Sequence, residues 1–180
     1  MRVPSLRLLA IGTISLALSG CLAVPEGVEP VGGFDVDRYM GRWYEIARLD
    51  HSFERGLTNV TATYALQADG SVQVINRGFN PDRCSYEDRE GRATFIASPD
   101  VASLAVSFFG PFAGGYHVIE LARDYSYAVV SGPNKDFYWI LSRTPELNQA
   151  TLDRLLAEAR ALGYPVDEDL TLVDQSAPAC

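Results

Sequence analysis

The chain has 180 residues, of which 47% are hydrophobic, and this size suits one domain with a sizeable core. Its formal net charge of −8 at pH 7 argues against nucleic acid as a partner, because such proteins need a basic face to neutralise phosphates. We therefore expect one acidic domain whose ligand is not attracted by positive charge.

The N-terminus has the pattern of a signal peptide. Arg2 and Arg7 flank the start of an apolar run from Leu8 to Leu18. This run is much shorter than the roughly 20 apolar residues that span a bilayer, so a permanent transmembrane helix is the weaker interpretation. We expect residues 1–20 to be removed.

The residues Leu18-Ser19-Gly20-Cys21 resemble the lipobox of bacterial lipoproteins, in which the cysteine receives a diacylglyceryl group. The resemblance implies that Cys21 is the lipidated N-terminus. Leu22 stands where the inner-membrane retention signal has Asp, which implies outer-membrane sorting and leaves the leaflet open. The alternative is an ordinary cleavage site followed by a chance cysteine.

The next segment, residues 21–33, has little apolar periodicity. It contains Pro25, Pro30, Gly32 and Gly33, which is typical of a flexible tether. The folded domain is predicted to cover residues 34–180.

Short β-rich segments with turn residues between them follow along the chain. The predicted strands are Trp43 to Leu49, Asn59 to Leu66, Ser71 to Arg77, Gly91 to Ala97, Leu104 to Phe109, Tyr116 to Ala122, Tyr127 to Ser131 and Phe137 to Arg143. Breaks are predicted at Ala68-Asp69-Gly70, at Gly78 to Asp82 and at Gly132 to Lys135. Such short connections predict an all-β fold, an eight-stranded antiparallel up-and-down β-barrel that closes its own edges.

One helix is predicted after the last strand, where Leu152, Leu155, Leu156, Ala159 and Leu162 share a face and Gly163 marks the end. We expect this face to pack outside the barrel, although a partner could also bind it. A further short strand is predicted at Leu170 to Val173.

Three motifs in order along the chain resemble those of lipocalins. Gly41-Arg42-Trp43 is similar to the motif that opens the family's fold, Asp124-Tyr125 to the second motif and Arg143 to the third. Longer stretches, such as Ser107 to Phe112, resemble bacterial outer-membrane lipocalins. We expect Trp43 and Arg143 to plug the closed end of the barrel, the guanidinium lying over the indole and donating to carbonyls. A ligand-binding role for Arg143 is the weaker alternative.

Period-two alternation from Arg143 indicates which side chains face the interior. The predicted cavity residues are Ala62, Tyr64, Val74, Asn76, Phe95, Val106, Phe108, Tyr116, Val118, Trp139 and Leu141. The strand from Tyr116 to Ala122 is ambiguous, and we favour Tyr116 and Val118 inward. A solid core without a cavity is the alternative, but small alanines among large aromatics favour a hollow interior.

An apolar interior suits a single-chain amphiphile, and the family resemblance implies the same class of ligand, lysophospholipids or fatty acids. Storage, scavenging or transport of such lipids at the outer membrane is therefore the predicted function. Glu45, Asn76 and the loop Asp50-His51-Ser52 are candidate contacts of the head group, and Arg55 is a candidate for a phosphate. Related bacterial lipocalins can form dimers, so a homodimer stays open.

Three cysteines occur in the chain. With Cys21 lipidated, Cys84 and Cys180 remain, and an even pair in an oxidising compartment is most simply a disulfide. An intermolecular bridge through Cys180 is the alternative.

The sequence gives little support to catalysis, and we predict no enzyme, no cofactor and no metal. It has no Gly-X-Ser-X-Gly nucleophile elbow, and its two histidines, His51 and His117, lie far apart. His117 is expected to be a half-exposed barrel residue. A structural envelope lipoprotein without a ligand is the main alternative function, and a lipocalin-type enzyme or a haem binder is less favoured.

Overall fold

A computed structural model describes residues 20–176, 178 and 180. The strands are β1 Gly41–Leu49, β2 Thr58–Leu66, β3 Val72–Asn80, β4 Ser85–Phe95, β5 Ser103–Phe109, β6 Phe112–Leu121, β7 Tyr127–Ser131, β8 Tyr138–Ser142 and β9 Leu170–Leu172, and the α-helices are α1 Val36–Tyr39 and α2 Gln149–Ala161. Apart from Gly20, the predicted signal peptide lies outside the described residues. Within these residues, no helix is both long and apolar enough to cross a membrane.

Strands β1 to β8 form the predicted antiparallel barrel. Each strand pairs with the next along the chain, and the barrel closes because β1 pairs with both β8 and β2. Leu152, Leu155 and Ala159 of α2 are buried against the outer face of the barrel, as their spacing predicted. Gly163, with φ 84°, follows the end of this helix.

Strands β3, β4 and β6 are longer than the alternation predicted. β3 runs to Asn80 and β4 begins at Ser85, so the turn lies at residues 81–84 rather than at the predicted Gly78 to Asp82. The prediction missed the start of β4 because residues 85–90 are polar on both faces and carry no alternation. β6 likewise starts at Phe112, ahead of the predicted Tyr116.

One end of the barrel is filled by side chains. The residues before β1 fold across this end of the barrel, where Phe34 and Tyr39 are buried in the same cluster as Trp43. Asp35 caps α1 by accepting from the backbone N–H groups of Asp37 and Arg38. This end is therefore closed, and the loops after β1, β3, β5 and β7 surround the opposite, open end.

β1 and β2 separate towards the open end. They pair only from Gly41 to Tyr44, and beyond that point β9 takes the place of β2 beside β1, from Ala47 to Leu49. The side-chain amide of Gln175 donates to the carbonyls of Glu45 and Val60, at 2.8 Å each. The chain after α2 therefore completes the wall of the barrel.

The N-terminal segment, residues 21–33, differs from the predicted flexible tether. Pro25 and Val28 are buried, and the backbone N–H of Val31 donates to the carbonyl of Val118 at 2.8 Å. The prediction was wrong because prolines and glycines that lack periodicity can still follow the surface of a barrel when their backbone groups find partners there.

His117 also differs from its predicted half-exposed position. It is fully buried at 0% exposure, because the N-terminal segment covers it. Its ring nitrogens form hydrogen bonds with Ser103 Oγ at 2.8 Å and with the carbonyl of Ala23 at 2.9 Å. Burial lowers the pKa of His117, so the side chain is a neutral link between the segment and the barrel.

Candidate functional site: the barrel cavity

A cavity of about 510 Å³ occupies the open half of the barrel. Its wall is predominantly apolar, with polar side chains concentrated near the open end. This volume falls within the range of about 300–1,000 Å³ in which proteins hold one small molecule. The hollow interior that the alanines indicated is therefore present.

Nine of the eleven predicted cavity residues border this space. They are Ala62, Tyr64, Val74, Asn76, Val106, Phe108, Tyr116, Trp139 and Leu141. Alternation pointed to this set because each strand of a small barrel directs every second side chain inward. The same wall contains residues that the sequence analysis did not select, among them Leu57, Val60, Phe109 and Phe112.

Phe95 and Val118 face the interior but do not border the cavity. Phe95 lies beside the ring of Phe34, with 6.3 Å between the ring centroids, and Val118 is completely buried. Both were predicted to line the cavity, because alternation shows which way a side chain points but not how deep in the barrel it lies. The closed end is filled by residues 34–40, which precede the barrel in the sequence.

A bulge in β6 sets the direction of Glu120. The register shifts between Val118 and Glu120, so Glu120 leaves the inward row that Tyr116 and Val118 share. Glu120 instead binds Arg154 of α2, with 2.7 Å between the carboxylate oxygen and the guanidinium nitrogen.

Three tyrosine hydroxyls meet at the floor of the cavity. The hydroxyl of Tyr116 forms hydrogen bonds with those of Tyr39 at 2.7 Å and Tyr64 at 2.9 Å. Burial raises the pKa of all three tyrosines, so they are neutral at physiological pH. The floor is therefore uncharged.

A cluster of buried ionisable groups lies in the wall nearer the open end. Arg48, only 1% exposed, donates to Glu45 Oε1 at 2.7 Å and to the backbone carbonyl of Glu54 at 2.8 Å. The indole N–H of Trp139 donates to Glu54 Oε1 at 2.9 Å. The register shift in β1 between Glu45 and Ala47 brings Glu45 and Arg48 together on the inner side.

The carboxyl groups of this cluster have raised pKa values. Burial, together with the charge of Glu54, raises the pKa of Glu45 to about 8 despite the hydrogen bond from Arg48. Burial also raises the pKa of Glu54, whereas the hydrogen bond from Trp139 and the charge of Arg48 lower it. Glu45 is thus largely protonated at neutral pH, which limits the net charge beside the apolar cavity.

Other candidate head-group contacts are less available than the sequence suggested. His51 is buried in a stack, 4.4 Å from the ring of Phe137 and 5.2 Å from that of Phe53. The guanidinium of Arg55 donates to Asp50 Oδ2 at 2.6 Å, so its charge is already paired. Arg77 and Arg89 border the cavity instead and are basic groups near the open end.

The residues of the three motifs meet at the closed end. The guanidinium carbon of Arg143 lies 3.8 Å from the centre of the Trp43 ring. The same group donates to the carbonyls of Arg42 at 2.9 Å and Arg38 at 2.7 Å. This is the geometry expected of a plug, and it lies at the opposite end of the barrel from the cavity mouth.

The remaining motif residues support this end. Gly41 has φ 92°, a conformation that favours glycine, and Tyr125 has φ 62°. The hydroxyl of Tyr125 accepts from the backbone N–H of Asp35 at 2.9 Å, while Asp124 accepts from that of Ser126 at 3.1 Å.

Cys84 and Cys180 form a disulfide within the chain, with 5.9 Å between their Cα atoms. It joins the β3–β4 turn to the C-terminus. Cys21 is exposed. Among the described residues, no group of three or more metal-binding side chains comes together.

A closed antiparallel barrel with one open cavity defines the class of small ligand-binding barrels. A family model described as a lipocalin-like domain matches residues 34–175. The chain belongs to the lipocalin family.

Similar proteins agree with this assignment. Outer membrane lipoprotein Blc of Escherichia coli (strain K12) is 50% identical over 165 residues, which cover 91% of this chain and 93% of that protein. The Vibrio cholerae protein of the same name is 48% identical over 151 residues, covering 83% of this chain and 88% of that protein. The structure of insecticyanin from the tobacco hornworm Manduca sexta aligns with a TM-score of 0.67 at 22% identity, covering 88% of this chain and 89% of that chain, and supports the fold alone.

The bacterial relatives confirm the predicted localisation, a lipid-anchored protein of the outer membrane. Their names and the family point to a binding protein rather than to an enzyme.

Proposed function

We propose that this lipocalin binds a single-chain amphiphile, a lysophospholipid or a fatty acid, in the barrel cavity. It does so by equilibrium binding and serves storage, scavenging or transport of lipids in the envelope. Cys21 carries the lipid anchor. The observation that supports the proposal best is the apolar cavity of about 510 Å³ with a single open end.

The distribution of polarity favours an acyl chain pointing inward. The deep part of the cavity is bordered by apolar side chains and by tyrosines whose hydroxyls are already bonded to one another. Each methylene transferred there from water contributes about 0.8 kcal/mol. The charged residues Arg77, Glu87 and Arg89 border the open end, where a polar head group stays hydrated.

A fluorescence titration of delipidated protein tests the proposal, because Trp139 borders the cavity. The ligands are a lysophospholipid, a fatty acid and a diacyl phospholipid. Ala62→Phe places a ring in the cavity, whereas Ala65→Phe adds the same ring on the exposed side of β2. We expect saturable micromolar or tighter binding of the single-chain lipids, weakened about tenfold or more by Ala62→Phe and unchanged by Ala65→Phe.

Two results would contradict the proposal. A folded, delipidated sample without saturable binding would favour a structural envelope lipoprotein. Equal weakening by both variants would place the lipid outside the barrel.

A further inference from the structure

Three phenylalanines at the open end are exposed to solvent. Phe53 is 52% exposed, Phe109 69% and Phe112 78%, and all three border the cavity. We call them the mouth phenylalanines. Phe53 comes from the loop after β1, while Phe109 and Phe112 pair across the tip of the β5–β6 hairpin.

The fold does not require large apolar groups at this tip. Phe108, one position earlier, already supplies the inward ring, and Gly110, with φ 55°, forms the turn. Single exposed apolar residues are common, but a group of aromatic rings around one opening marks a surface that meets an apolar partner.

The N-terminal segment holds the anchor site close to the barrel. Cys21 is exposed and lies in a 3-10 turn, Gly20–Leu22, against β6. Two residues later, the carbonyl of Ala23 is bonded to His117 of the same strand. Pro25 and Val28, further along the segment, are buried. The segment therefore keeps Cys21 close to the outer surface of the barrel.

The same strand leads from the anchor site to the mouth. Phe112 begins β6 five positions before His117, which corresponds to about 17 Å along an extended strand. The membrane that holds the acyl chains of Cys21 therefore lies within reach of the β5–β6 tip.

We propose that the mouth phenylalanines dock on the bilayer that holds the anchor, so that the cavity opens onto the membrane surface. This rests on the proposed function, with the anchor at Cys21 and a lipid in the cavity. Aromatic rings are favourable at the level of the head groups, and the anchor raises their effective concentration there. A lipid then passes between bilayer and cavity without crossing bulk water.

A second copy of the chain is the competing occupant of this surface. Two mouths facing each other would also bury the phenylalanines, but they would close the cavity to lipid. Arg55, two residues after Phe53, and Arg89, which borders the same cavity, are both exposed. They are compatible with shallow docking among hydrated head groups.

The test uses the mature chain with Cys21→Ser, which removes the anchor and, because Cys21 is exposed, leaves the described contacts in place. Flotation with vesicles of phosphatidylethanolamine and phosphatidylglycerol measures docking alone. The test variant is Phe109→Ser/Phe112→Ser. The matched control is Leu66→Ser/Ile96→Ser, which removes two exposed apolar residues from the closed end, at 40% and 42% exposure.

We expect the mouth variant to reduce the vesicle partition coefficient about tenfold or more and the closed-end control to change it less than about twofold. Equal partitioning of the mouth variant and its parent would overturn the proposal. So would a dimer of the parent that Phe109→Ser/Phe112→Ser converts to monomers, because the second copy would then occupy the surface.

A titration of the parent with monomeric lysophospholipid separates this inference from the proposed function. If the parent binds lysophospholipid saturably but the phenylalanine substitutions do not change vesicle partitioning, the proposed function is supported and the docking surface is contradicted. If the substitutions reduce partitioning but the parent binds no lysophospholipid, the docking surface is supported and the proposed function is contradicted.

Discussion

Buried ionisable side chains give this barrel its most distinctive residue-scale chemistry. Glu45 and Arg48 are adjacent in the wall of an apolar cavity, and Glu54 accepts from an indole N–H. A barrel that binds only hydrocarbon does not need them. Their cost is reduced because Arg48 bonds to both a carboxyl oxygen and a backbone carbonyl.

Glu45→Gln should change the pH dependence of stability. Glu45 has an ordinary pKa of 4.5 in the unfolded chain and a pKa of about 8 in the barrel, so the folded state retains the proton between these values. The stabilisation that comes from protonated Glu45 is fully present below the pKa of the unfolded chain, and it is lost as pH rises through the pKa of the folded barrel. We expect the stability of the wild type to fall, relative to that of Glu45→Gln, as pH rises through this window.

Urea unfolding at about pH 5 and about pH 9 measures this difference. Glu146→Gln, at an exposed position, is the control and should follow the wild type. A Glu45→Gln variant that keeps the wild-type pH dependence would show that Glu45 does not titrate between the two pH values.

Arg143→Ala should destabilise the barrel by about 3 kcal/mol, because it removes charge-assisted hydrogen bonds to carbonyls and the contact with Trp43. Arg42→Ala is the control, since only the Arg42 carbonyl takes part and its side chain is exposed. Chemical unfolding gives both values. A loss of ligand affinity at wild-type stability would instead support the alternative in which Arg143 binds the ligand.

At the scale of elements, the open half of the barrel depends on a segment that is not one of its eight strands. β9 and Gln175 occupy the gap that opens between β1 and β2. The backbone N–H of Asn59 also donates to the carbonyl of Asp174 at 2.7 Å. The C-terminal segment thus replaces the missing ladder between two barrel strands.

Gln175→Met should lower the free energy of unfolding by about 1–3 kcal/mol, because a side chain of similar size no longer donates to the carbonyls of Glu45 and Val60. Leu172→Ser, at an exposed position of β9, should stay within about 0.5 kcal/mol of the wild type. Thermal or urea unfolding compares them. Equal effects of the two substitutions would mean that the amide does not hold the gap closed.

In the molecule as a whole, one covalent bond ties this segment to the β3–β4 turn at the barrel mouth. The disulfide joins residues separated by 96 positions, so it closes a loop that includes most of the barrel. Such a long loop restricts the unfolded chain strongly.

Cys84→Ser/Cys180→Ser should destabilise the domain by up to about 4.7 kcal/mol, the chain-entropy value for a loop of about 100 residues. Unfolding of the wild type with a thiol reductant should show the same loss, and Cys21→Ser should show none. A covalent dimer on a non-reducing gel would contradict the intramolecular bond.

Local patterns in the sequence were enough to predict the eight strands, the helix and the positions of the motif residues. These follow from local rules: alternation with period two sets the face of each side chain, and helical spacing sets the buried side of α2. The rows containing Tyr64 and Trp139 could therefore be assigned to the interior from the alternation alone. The same rules explain the errors, because alternation does not show how deep a side chain lies, as at Phe95, or which segment covers the barrel wall, as at His117.

The features that depend on closure of the barrel could not be predicted from the sequence. The bond between Gln175 and Glu45 spans 130 residues, and the cover of His117 by Ala23 spans 94. The grouping of the mouth phenylalanines likewise requires two loops to meet at one end of the barrel. No local pattern encodes these contacts, because each partner is selected by where the closed sheet places it.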